Sequence, residues 1–166
     1  SLMITDQEEL IKCNASIEDV KNKINYFLEA IKEKKGQYSA YHNRKNIIEY
    51  EIGKINLDIE TIECPVTRPL GTGEENSKLE RLIRTMESKV KYLEGDLALI
   101  QGDIAVAKAD IWAYLERLSI NIDRLGDLKQ DLKEIGAKGF EGDWLGPFLK
   151  EARALKAEYT YRYDDK

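Results

Sequence analysis

LERLIRTMESKVKYLEGDLALIQGDIAVAKADIWAYLERLSINIDRLGDLKQDLKEI, residues 79–135, repeats its apolar side chains every seven positions. Ile83, Val90, Leu97, Ile104, Ile111, Leu118, Leu125 and Leu132 form one column. Leu79, Met86, Leu93, Ile100, Ala107, Tyr114, Asn121, Leu128 and Ile135 form the second. The columns alternate by three and four, the a/d spacing of a coiled-coil seam. Upstream, the same rule holds over residues 6–63. Leu10, Ile17, Ile24, Ile31, Tyr38, Lys45, Ile52 and Ile59 make one column there. Cys13, Val20, Phe27, Lys34, Tyr41, Ile48, Ile55 and Ile62 make the other. Only Lys34 and Lys45 interrupt it, and a lysine stem lies along such a seam while its ammonium reaches water. The phase does not slip at Gly36, so each run predicts one continuous helix, roughly 58 residues and about 85 Å long.

Long helices are marginal alone, so the seam has to stabilise them, at roughly 1.5–3 kcal/mol per buried Leu or Ile. Two equal runs joined by a short break predict an antiparallel hairpin. A register in which partner numbers sum to about 145 brings a onto d. Ile62 then meets Ile83, Ile48 meets Leu97, Tyr38 meets Ala107 and Cys13 meets Leu132. Arg44 falls near Asp96 and Asp103, and Lys89 near Glu51 and Asp58. Glu49 falls near Glu94, so a shift by one heptad stays open.

Between the runs, Pro65, Pro69, Gly71 and Gly73 mark a loop over 64–77. Thr5 with Glu8, and Ser77 with Glu80, have the capping-box spacing that starts each helix. Beyond Ile135 comes a glycine-rich link, 136–147, in which Phe140, Trp144 and Leu145 plug apolar surface. Pro147 then opens a short third helix, 148–163, with Phe148, Leu149, Ala152, Leu155 and Tyr159 on one face. Leu28, Leu115 and Ile122 widen the apolar stripe where that helix would dock. The expected architecture is all-α and a single elongated domain over 1–166. Two long antiparallel helices carry the short third one packed at the open end.

Charge narrows the function. The net charge is −5 with 34% charged residues, and a nucleic-acid binder shows a basic face instead. The cluster of Lys32, Lys34, Lys35, Arg44 and Lys45 is opposed by Asp103 and Asp110, so it reads as a solvated, partly paired face. No run is apolar enough to cross a bilayer, and no signal peptide is recognisable. Ser1-Leu2 ahead of Met3 reads as vector-derived. Cys13 and Cys64 stand too far apart along one helix to bridge, which makes a reducing cytoplasm the expected setting.

Chemistry finds no foothold. Di-metal bundles use Glu and Glu-x-x-His pointing inward, whereas the lone His42 has Ser39 at that spacing and no carboxylate lies in the columns. Cys13 is a small apolar filler, and Cys64 lacks a nearby base, which leaves it open as a reactive or intermolecular thiol. Gly71-Thr-Gly73 follows a helix and precedes glutamates, which contradicts a phosphate loop. No metal, cofactor or catalytic residue is expected.

What remains is surface. Gly95, Ala98, Gly102, Ala105 and Ala109 line the b/f face, where exposed helical glycine costs about 1 kcal/mol against alanine. Such a row admits a second helix backbone, most simply from another copy of the chain; the alternative is a plain solvent face of helix-forming alanines with incidental glycines. Ile47, Tyr50 and Leu57 form an outer patch on the first helix, on another side. Arg68 and Leu70 are candidate contacts in the loop, and Asn121 in the d column is a candidate determinant of register, facing Ile24. Long hairpins also occur in prefoldin-type chaperones, the seryl-tRNA synthetase arm and transcript-cleavage factors. The short proline-rich loop, the acidic surface and the missing β domain separate the chain from each. Small phage-encoded regulators with a helical pair are faintly similar, but no helix-turn-helix follows residue 136. The expected role is a non-enzymatic structural or protein-interaction module, presenting its loop on a coiled-coil stalk to a protein partner, alone or as an oligomer. A regulator touching the transcription machinery, or a chaperone-like hairpin, is the alternative.

Overall fold

Apolar residues at a mean spacing of three and a half bury one stripe per helix, and the computed structural model shows those stripes facing each other. It describes residues 4–63, 73–135 and 144–164. Among the described residues three helices form: α1 (Ile4–Glu63), α2 (Gly73–Ile135) and α3 (Leu145–Arg162). The two long helices pack extensively, and the short third one packs at one end. The described residues contain no strand. None of the described helices is long and apolar enough to cross a membrane.

Every described position in the four sevenfold columns is buried or half-buried. Ile17, Val20, Ile24, Ile31, Ile111, Leu118 and Leu125 are fully enclosed. The two lysines in the columns behave as their stems dictate. Lys34 Nζ reaches Asp110 Oδ2 at 3.2 Å, and Lys45 Nζ reaches Glu49 Oε1 at 3.8 Å. The α-helix runs unbroken through Gly36 and Gly102.

Contacts between backbone positions divide the chain into two units, one of residues 1–36 with 108–166, the other of 37–107. The first unit is a three-helix pack. Here the antiparallel pairing of α1 and α2 shows in Phe27 against Tyr114, with ring centroids 6.2 Å apart. The Cys13 thiol donates to Leu128 O at 3.6 Å, one helical turn short of the Leu132 expected opposite it. Along α3, Leu145, Leu149, Ala152 and Tyr159 are buried, and so are Leu115 and Ile122 on α2. Lys21 Nζ stands 4.7 Å over the Trp144 ring, and Lys35 Nζ 5.8 Å over that of Tyr159. Trp112 Nε1–H donates to Tyr163 O at 2.6 Å. Thus α3 runs alongside α1 and against the direction of α2. The second unit pairs the remaining halves of α1 and α2 around Ile48, Leu93 and Ile100, with Tyr41, Ile52, Ile55, Leu97 and Ile104 packed on them. The His42 ring lies 4.5 Å from that of Tyr38, which accounts for the only histidine as packing.

Three helix starts differ from the capping patterns. Helix α1 already includes Ile4, so Thr5 is not its N-cap. Helix α2 begins at Gly73, and Ser77 sits inside it, its hydroxyl donating back to Gly73 O at 2.9 Å. Glu74 and Glu75 occupy that first turn, where the helix dipole favours acids. Helix α3 starts at Leu145, not 148, because Leu145 is itself buried. Pro147 is tolerated at the third position, since first-turn N–H groups have no intrahelical acceptor. Phe148 N–H makes the first bond, to Trp144 O at 2.9 Å.

Candidate interaction surface

The small-residue row is where the sequence places it and is uncovered. Gly95, Ala98, Gly102 and Ala105 in the two-helix unit are exposed, as is Ala109 in the other. A Cβ added at Gly95 or Gly102 would meet nothing within 4 Å. Arg68, Leu70 and Cys64 lie outside the described residues, so the loop contacts are not placed.

Beside the row stands a column that the sequence reading overlooked. Tyr92, Leu99 and Val106 follow at intervals of seven and are 70%, 71% and 62% exposed. Single exposed apolar residues are ordinary. Three in register on one helix, each three residues before a small one at 95, 102 and 109, form a second stripe at coiled-coil spacing. The signal lay in the sequence as a second heptad phase, shifted by two residues from the buried columns. On α1 of the same unit, Ile47, Tyr50 and Leu57 are exposed as well.

Charge borders this face. Arg44, Asp96 and Asp103 line one shallow hollow with Tyr41, Leu99 and Ile100, the neighbourhood expected for Arg44. Asn121 bonds along its own helix. Its Nδ2–H donates to Arg117 O on its own helix at 2.7 Å, which uses one of its donors without reference to α1.

A second hollow lies beside Cys13. Cys13 shares it with Glu9, Lys12, Ser16, Leu128, Asp131, Glu134 and Ile135. Burial first, then the Asp131 carboxylate, pushes its thiol above the ordinary 9.0, so it is protonated and a poor nucleophile at neutral pH. Among the described residues, no group of three or more His, Cys, Asp and Glu is placed to hold a metal.

Two consequences can be measured at Cys13. A thiol reagent at pH 8 should label it far more slowly in the native chain than in urea. The raised pKa means that the folded state holds the proton more tightly. Its contribution to stability is therefore constant below the unfolded thiol pKa and lost as pH rises through the folded value. Tyr159, raised above 10.0 mainly by burial, and Lys34, raised above 10.5 mainly by its hydrogen bond to Asp110, act in the same direction. The thermal midpoint should fall on the alkaline side, above about pH 9. A midpoint that climbs there, or native labelling as fast as unfolded, would contradict the burial of Cys13.

No family model matches the chain, and no curated protein and no solved structure is significantly similar to it.

Proposed function

We propose that the chain is a non-enzymatic protein-interaction module, a coiled-coil helical hairpin acting in a reducing, cytoplasmic setting. One observation carries this reading. The outer face of α2 exposes Tyr92, Leu99 and Val106 in line, flanked by helical glycines with open space above them. Glycine weakens a solvent-facing helix by about 1 kcal/mol relative to alanine, and exposed large apolar residues in a row favour association. Both features make sense on a surface that something covers. The free, protonated Cys13 suits a compartment without disulfide formation.

The connection at 64–72 and the α2 face are the two candidate contact sites, and variants separate them. With the chain as bait, a bound protein lost when 64–72 is replaced by a short glycine linker uses the connection. One lost on Gly95→Glu with Gly102→Glu uses the helix face. Retention of the same partner by both variants, or turnover of a small substrate by the purified chain, would defeat the reading.

A further inference from the structure

Ser88, Tyr92, Gly95, Leu99, Gly102 and Val106 follow one another on α2 at steps of four and three, and all are exposed. Large and small residues alternate along this line. We propose that this face pairs antiparallel with the same face of a second copy of the chain. In that pairing Tyr92 seats over Gly102 of the copy, Leu99 over Gly95 and Val106 over Ser88. The inference rests on the reading of the chain as an interaction module and names the partner.

Three features select this occupant. First, the face carries bulky residues and gaps in equal number at one spacing, so it is complementary to itself, as a two-fold interface requires. The space over Gly95 and Gly102 is open to 4 Å, which lets a bulky side chain and a second backbone come close. Second, the pairing has a direction. A parallel pair in register would set Tyr92 on Tyr92 and leave glycine facing glycine, whereas antiparallel layers match a to d. Third, the outer flanking charges are complementary, and they outnumber the one like-charge contact at the axis. Lys89, Asp96 and Asp103 run along one edge of the line, and the pairing brings Lys89 to Asp103 of the copy, twice by symmetry. Asp96 approaches its own equivalent near the two-fold axis, and Arg44 stands in the hollow with Asp96 and Asp103. On the opposite edge Ala98 meets Ala98, which permits close approach. One helix face per copy buries less than about 1,200 Å², the range of weak, reversible complexes, so dimer and monomer exchange with concentration.

Sedimentation equilibrium on the full chain, from micromolar to millimolar concentration, reads this directly. The weight-average mass should climb from 19.1 kDa toward twice that value. Gly95→Glu with Gly102→Glu should hold it at the monomer mass with helix content by circular dichroism unchanged. In a Cys64→Ser background, Ala98→Cys should cross-link to a covalent dimer under mild oxidation, and Ala105→Cys, whose mate is Lys91, should not. A mass that stays at 19.1 kDa throughout, or a dimer in which Ala105→Cys and not Ala98→Cys cross-links, overturns the proposal. A monomeric chain that binds a foreign protein overturns it too, yet leaves the module reading intact.

Discussion

Leu118→Ala is expected to cost about 2–5 kcal/mol of unfolding free energy, the range for deleting a buried leucine side chain. Leu118 is fully enclosed, and Ile111 and Leu125, one heptad to either side, are enclosed as well. Neighbours packed this tightly cannot collapse into the void, which places the substitution toward the costly end. Urea unfolding followed by circular dichroism should show a lower midpoint at unchanged slope. Leu99→Ala, on the same helix but 71% exposed, should change monomer stability by less than about 0.5 kcal/mol. The pair separates two roles for leucine in α2: one holds the hairpin, the other faces outward. Equal losses at the two positions would mean that the inward column has been misassigned.

The contrast between Leu118 and Leu99 also shows what the sequence makes legible. A helix must bury one stripe to be stable, so the inward columns are imposed by a large energy and repeat from Leu79 to Ile135 with Asn121 as the one polar residue. Helix ends are governed by terms of about 1 kcal/mol each, and these were outvoted. Ser77 carries a capping pattern, yet the chain is already helical at Gly73. Leu145 joins α3 because its burial outweighs the preference for starting at Pro147. The docking of α3 over the widened stripe at Leu115 and Ile122 could be read in outline. The bond from Trp112 to the Tyr163 carbonyl could not, since a backbone acceptor has no sequence signature. The outer face of α2 was half visible. Gly95 and Gly102 drew attention because glycine is costly in a helix. Tyr92, Leu99 and Val106 did not, since an exposed apolar residue is unremarkable until its heptad phase is compared with that of the buried columns.

Ala152→Asp is expected to detach α3 from the three-helix unit. Ala152 is 1% exposed, between Leu149 at 1% and Tyr159 at 8% on the same face. An aspartate there either buries a charge with no partner, a cost of several kcal/mol, or leaves the interface and takes the helix with it. The second outcome is the cheaper one, because α3 is short and the pairing of α1 with α2 continues without it. Detachment would uncover Leu115 and Ile122 and lower the stability of the unit. The chain has two tryptophans, and both report on this contact. Trp112 donates to Tyr163 at the C-terminal end of α3, and Trp144 lies under Lys21 at the N-terminal end. Ala152→Asp should therefore shift tryptophan emission to the red and lower the thermal midpoint, while most of the helical circular dichroism persists. Ala157→Asp adds the same charge to an exposed position of the same helix and should do neither. If the two variants behave alike, the Ala152 face of α3 is not the surface that holds it.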